Sequence, residues 1–522
     1  MSATSPTPPV AEPQPLLAEL KRRLHEVDDL ESAGAVLGWD QSTYMPSGGA
    51  DARGRQLATL SALAHQKLTD PELGRLLDAL RGHEAALPPD SDDASLIRVA
   101  RRDYLRAVRV PSAFMAELAR HGAASFQAWT VARPADDFDA VRPLLERTVD
   151  YSRQLADFFP GYAHIADPLI DVADEGVTAA DVRTLFAALR AELVPLARAI
   201  TDQPAADDAC LRQHYPEAAQ IAFGEALIRR YGFDFERGRQ DKTHHPFTTR
   251  FAAGDVRITT RINEDDLREG LFATLHEAGH ALYEQGISPR LDGTPLGRGT
   301  SSGIHESQSR LWENLVGRSL PFWEHSYPGL QQTFPEQLGA VPLDTFYRAV
   351  NKVERSLIRV EADEVTYNLH VMIRFDLELA LLEGTLAVRD LPDAWRERYR
   401  ADLGVAPPDD RDGVLQDMHW YAGQVGGMFQ GYTLGNVIGA QLFAAARAAR
   451  PEIATGLAAG EFDPLRDWLT EQIYRYGRKL TTAELLQRAT GGPLSTGPYL
   501  AYLRQKYGAL YTLPPAQGLD EG

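Results

Sequence analysis

Apolar residues recur at intervals of three and four over long stretches of this chain, and that period restricts the fold more than any other feature. It runs through Leu16–Leu37, Asp181–Ile200 and Asp344–Glu383, which predicts long amphipathic helices packed on one another. Breaks rich in Pro and Asp at Pro88–Asp93, Gln203–Asp208 and Pro407–Asp412 are too short to tether separate domains and read as loops of one fold. The expected organisation is a single, mainly α-helical domain over residues 16–512. Residues 1–15, rich in Pro, Ser and Thr, have too little apolar content to offset ordering entropy and read as a disordered tail; residues 513–522 form a second, short tail. No internal repeat is found.

Charge and cysteine content narrow the partners. The 54 basic and 73 acidic residues give a formal charge of −19, which argues against nucleic acid and anionic membranes, since both require a basic face. The lone cysteine, Cys210, excludes an intramolecular disulfide framework and any multi-cysteine metal site, leaving histidine and carboxylate as ligands. The N-terminus has neither a basic n-region nor an apolar h-region, and no stretch reaches about 18 unbroken apolar residues. A cytoplasmic location is the expectation.

One region abandons the helical period. In Asp255–Ile262, Val256, Ile258 and Ile262 share one parity while Asp255, Arg257, Thr259 and Arg261 share the other, the pattern of a half-buried strand. His245–Phe251 alternates too, and Ala252-Ala253-Gly254 between them suits a hairpin connection. This small antiparallel hairpin leads into a helix that Asn263 or Asp265 can cap, with apolar positions from Leu267 to Leu282 and a stop at Gly286.

Within that helix stands His276-Glu277-Ala278-Gly279-His280. Residues four apart share a helix face, so two imidazoles reach one ion, and Glu277 lies beside them as the general base for an attacking water. A catalytic zinc takes three protein ligands, so a third must come from elsewhere. Glu306, at the start of the amphipathic segment Gly303–Glu313, is the favoured candidate, and His305 competes with it.

With these residues in view, the chain resembles the carboxypeptidase Taq family, the M32 metallocarboxypeptidases. The resemblance rests on Leu37-Gly-Trp-Asp-Gln41 with Met45-Pro46, on His245-Pro-Phe247, on Asp255, Arg257 and Thr259 of the strand, and on the His-Glu-x-x-His helix. It continues through His305-Glu-Ser-Gln308, through Ile358, Arg359, Ala362 and Asp363, and through Gly413, Gln416, Asp417, His419 and Trp420. It implies a large helical, cleft-containing fold, a cytoplasmic homodimer, and one divalent ion per chain, zinc with cobalt as the alternative. It also implies stepwise removal of C-terminal residues from peptides of broad sequence, and it favours Glu306 over His305 as the third ligand.

Further roles follow with alternatives open. His419 and Tyr432 can stabilise the oxyanion. The stretch from Tyr421 to Asn436 lacks the Gly-Tyr-Phe-Pro sequence of many family members and is one residue longer, so Tyr432 is preferred and Tyr421 is the alternative. Arg257 and Arg359 are candidates for capturing the substrate carboxylate, although Arg359 could instead pair with Asp363 four residues on. Asp255, Thr259, His245 and Gln416 complete the substrate-binding set, with a peptide adding along the strand edge. Two rival readings are a metallo-oligopeptidase of the thimet or angiotensin-converting type, and a helical interaction protein with a vestigial metal site.

Overall fold

A computed structural model describes residues 13–514. Its first helix, α1 (Pro13–Thr43), buries Leu17, Leu20, Leu24 and Val27 on one stripe. Pro13 fits a first helical turn, where its missing N–H costs nothing, so residues 13–15, expected in the tail, are helical. Leu513, expected in the C-terminal tail, packs on the core. The rest of both expected tails lies outside the described residues.

Helices dominate, and a three-stranded sheet of β1 (Gln240–Lys242), β2 (Thr248–Ala252) and β3 (Asp255–Thr260) is set beside them. The expected hairpin is β2–β3, paired antiparallel; β1 is an addition that lies parallel to β3. The spatial order is β1-β3-β2, so β3 is the central strand. Val256 and Ile258 face the core, as their parity predicts. Three residues of β1 are too few to show an alternation.

Helix α2 (Leu267–Gly286) follows. Asp266 caps it by accepting from the Arg268 N–H, whereas Asn263 turns its side chain to the Asp265 N–H in the preceding loop; neither residue expected as the cap fills that position. Buried residues occur all around α2, so it runs through the interior with little amphipathic character. Helix α3 (Ser302–Arg310) continues directly into a π-helical turn, Leu311–Val316.

The expected helical run over 344–383 is interrupted. A helix ends at Val350, an irregular segment with a short 3₁₀ turn at Arg359–Glu361 intervenes, and α4 (Tyr367–Glu383) begins only then. Asp363 makes the break by accepting from the backbone N–H groups of Glu354, Val365 and Thr366, an alternative to helix bonding open to short carboxylates. Helix α5 (Phe429–Ala449) lies against α3.

Two glycines let α3 sit between α2 and α5. A Cβ on Gly279 would lie 2.5 Å from the Gln308 carbonyl oxygen and 2.6 Å from the Ser309 Cα, and one on Gly435 would lie 2.4 Å from the Glu306 Cγ. The three backbones therefore approach more closely than any larger residue permits, and Glu306 is carried to the histidines of α2.

Candidate active site

His276 and His280 project from one face of α2 and Glu306 from α3, and one ligand atom of each lies within 4.8 Å of the others. The Glu306 Oε2 is 3.4 Å from His280 Nε2 and 3.7 Å from His276 Nε2. Ligands at about 2.0–2.1 Å around a tetrahedral ion stand roughly 3.3 Å apart, so the three atoms already surround a site of the right size. Two imidazoles and a carboxylate suit zinc or a similar transition ion and not the all-oxygen shells of calcium or magnesium.

Each of these three side chains is gripped from behind. His276 Nδ1 meets Glu313 Oε2 at 2.9 Å, and Arg310 donates through Nε to Glu306 Oε1 at 2.7 Å. His280 Nδ1 is 2.6 Å from His305 Nδ1, whose Nε2 reaches Glu284 Oε1 at 2.8 Å. His305, the competing ligand, thus stands behind His280 with both ring nitrogens engaged. Burial pushes the Glu306 carboxyl up, but Arg310 and the two histidines outweigh it and hold the group far below the ordinary carboxylate range. Glu313 responds in the same way: burial opposes, Arg310 and His276 win, and its pKa falls to about 2. Burial alone would lower His276, but Glu306 and Glu313 raise it, whereas His280 is held below its ordinary value mainly by burial. Sequence spacing singled out neither Glu313 nor Glu284. Arg310 was discernible, because Glu306 and Arg310 are four apart on a helix.

Glu277 is buried beside the ligands. The Thr248 hydroxyl, at the start of β2, lies 2.7 Å from Glu277 Oε2. His245 is held below its ordinary pKa mainly by desolvation, with the charges of Glu277, His419 and Arg359 also acting on it.

Arg359 is buried and bound through Nε and Nη2 to the two oxygens of Asp417 at 3.1 and 2.8 Å, with Nη1 donating to Tyr367 Oη at 3.2 Å. The helical pair with Asp363 is not formed, since Arg359 lies in the 3₁₀ turn while Asp363 serves backbone N–H groups. Asp417 also receives Arg374 and faces His419 Nδ1 at 3.4 Å. His419 Nε2 is 3.5 Å from Tyr432 Oη. Tyr432 precedes Gly435 by three residues on α5 and so stands beside Glu306, whereas Tyr421 is fully buried and stacked on Trp129. Gln416 accepts from the Arg359 N–H and Arg374 and donates to the carbonyls of Leu357 and Asp412. Its amide is fully used internally, which leaves nothing for a substrate.

The strand residues divide. Arg257 binds both oxygens of Asp255 at 2.8 and 2.7 Å and lies over the Trp39 ring at 4.4 Å. Thr259, expected on the exposed face, is fully buried, because its Oγ1 accepts from the Phe247 N–H at 2.8 Å and bonds the Phe247 carbonyl at 3.1 Å. Strand addition along β3 is likewise corrected: both its edges are already paired.

A family model described as Carboxypeptidase Taq (M32) metallopeptidase matches residues 19–507. Thermostable carboxypeptidase 1 of Thermus thermophilus is 45% identical over 492 residues, spanning 92% of this chain and 96% of that one. Carboxypeptidase 1 of Bacillus subtilis is 35% identical over 493 residues, spanning 94% and 97%. The crystal structure of the M32 carboxypeptidase from Deinococcus radiodurans R1 superposes with a TM-score of 0.93 at 52% identity, covering 95% of this chain and 99% of that one. A helical fold with two histidines one turn apart, a carboxylate from the next helix and a glutamate at their side defines a metallopeptidase. Within that class, the chain belongs to the carboxypeptidase Taq (M32) metallopeptidase family.

Proposed function

We propose that this metallocarboxypeptidase removes C-terminal residues one at a time from peptides of broad sequence. In this reading His276, His280 and Glu306 hold one divalent ion, zinc with cobalt as the alternative, and Glu277 is the general base. The observation that carries it is the convergence of His276, His280 and Glu306 within 4.8 Å of one another, with Glu277 buried on the same helix as the two histidines. One chain-long peptidase domain over residues 16–512, acting as a homodimer in the cytoplasm on peptides with a free C-terminus and without nucleic acid or membrane, completes the proposal. Among the described residues no helix is long and apolar enough to cross a membrane.

An ion held by His276, His280 and Glu306 would supply Lewis-acid polarisation of the scissile carbonyl and a more acidic attacking water. Glu277 accepts that water's proton and returns it to the departing amine. Tyr432, whose hydroxyl is pushed up mainly by burial and so stays protonated, donates to the developing oxyanion, and His419 is the second donor. Arg359 reads the substrate carboxylate through Nη1, whose partner is only a neutral tyrosine hydroxyl. Arg257, fully engaged with Asp255, is the weaker candidate.

Mass spectrometry of one peptide as free acid and as C-terminal amide tests this. The free acid should give a one-residue ladder. Because hydrogen bonds to charged groups contribute about 1.5–3 kcal/mol, the amide should react at least about tenfold more slowly. Internal fragments formed equally from both would replace this reading with the oligopeptidase one.

A further inference from the structure

We propose that Thr248 is a positioning residue for the reaction, an anchor that fixes one oxygen of Glu277 and can release it at little cost. The inference rests on Glu277 being the general base. The Thr248 Oγ1 lies 2.7 Å from Glu277 Oε2 and 3.0 Å from the backbone carbonyl oxygen of the same residue. A hydroxyl carries one proton and serves one acceptor at a time, and here both acceptors belong to Glu277. The shorter contact, to the carboxyl oxygen, takes the proton. Oε2 is then occupied, and Oε1, which has no protein hydrogen-bond partner among the described residues, is the oxygen left to meet the water.

The second acceptor matters once the base has been used. Glu277 must face two partners in turn, first the water and then the leaving amine, and its carboxyl group has to reorient between them. A hydroxyl abandoned by its carboxylate acceptor would lose a charge-assisted hydrogen bond. Thr248 escapes that loss by rotating its O–H toward the Glu277 carbonyl 3.0 Å away. No heavy atom moves, and the anchor is ready to recapture Oε2 for the next turnover.

The backbone beneath Thr248 is built to keep it there. Phe247, the residue before it, donates its N–H to Thr259 Oγ1 at 2.8 Å and accepts from the Thr259 N–H at 3.0 Å. Thr248 itself opens β2 in register with Ile258 of the central strand. The hydroxyl is therefore aimed by a double clamp on β3, and Thr259, fully buried, acts on the reaction through Phe247 and Thr248 without facing the cleft.

The test compares metal-loaded wild type with Thr248→Val, Thr248→Ser and Glu277→Gln, reading kcat, KM, the solvent isotope effect on kcat, metal content and Tm. Valine keeps the shape and deletes the hydroxyl; serine keeps the hydroxyl. Thr248→Val should lose about ten- to a hundredfold in kcat, with KM, metal content and Tm close to wild type and a larger solvent isotope effect. Thr248→Ser should regain most of the rate. Wild-type kcat in Thr248→Val alongside an inactive Glu277→Gln overturns the anchor and leaves the base standing. Serine as slow as valine, or a matching loss of metal or Tm in Thr248→Val, also overturns it by assigning the effect to packing. Wild-type turnover in Glu277→Gln rejects the base itself, and the anchor with it.

Discussion

His280 shows how tightly single atoms are specified here. If Nε2 is reserved for an ion, the ring proton sits on Nδ1 and is donated to His305 Nδ1; His305 then carries its own proton on Nε2 and passes a hydrogen bond to Glu284. The tautomers of both rings are thus set by a carboxylate that touches neither the ion nor a substrate, an arrangement that sharpens ligand orientation. His280→Ala leaves only two protein ligands, so inductively coupled plasma analysis of the dialysed variant should find most of the ion gone. Glu313→Gln removes the charge behind His276 while keeping its shape, and titration against a chelating dye should show metal affinity weaker by about 10–100-fold. For Glu277→Gln the expectation is the reverse: full metal content, with kcat reduced about 100- to 10,000-fold.

Among the helices, α4 is unusual in burying His370, Arg374 and Glu378, spaced four apart on one face of an interior helix. They meet Tyr399, Asp417 and Trp420 respectively, so the polar stripe of one helix organises the segment that presents His419. Burial pushes Glu378 up to about 7 against a Trp420 N–H that favours its charged form. Between about 4.5 and 7 the folded protein therefore binds a proton that the unfolded chain has lost. The stability this contributes is complete below about 4.5 and disappears as pH rises through about 7. Melting curves from pH 4.5 to 8 should show Tm falling less steeply with pH in Glu378→Gln than in wild type. The close packing of α2 on α3 is equally exposed to test. Gly279→Ala would press a methyl onto backbone atoms and should destabilise the fold by about 1–3 kcal/mol, lowering both Tm and metal affinity. Sequence reasoning placed His276, Glu277 and His280 on one helix, because four-residue spacing is a local property, and it placed Val256 and Ile258 in the core through strand parity. It misplaced Thr259, whose burial comes from a clamp on a neighbouring strand. It also missed the break before α4, because Asp363 interrupts that helix by hydrogen bonding and no proline or glycine marks the place. Thr248 and Glu313 escaped because their partners lie on other elements.

At the scale of the whole molecule, the proposed ligands are preset by their surroundings, with Glu306 held by Arg310 and His276 by Glu313. Chelation should therefore leave the far-ultraviolet circular dichroism unchanged while lowering Tm. An ion that binds only the folded state contributes about 4 kcal/mol at a free concentration a thousandfold above its Kd, and returning the ion should restore the original transition. The three proposed ligands also lie close together along the chain, since Glu306 is only 26 residues beyond His280, whereas Tyr432 follows Glu306 by another 126. The entropy of closing a loop grows with its length, and distant contacts form late. A segment holding α2 and α3 can thus capture the ion while α5 is still undocked, so loading and competence are separable events in the life of the chain. In graded denaturant, turnover should vanish before the ion is released, leaving a population that is metallated, partly folded and inert.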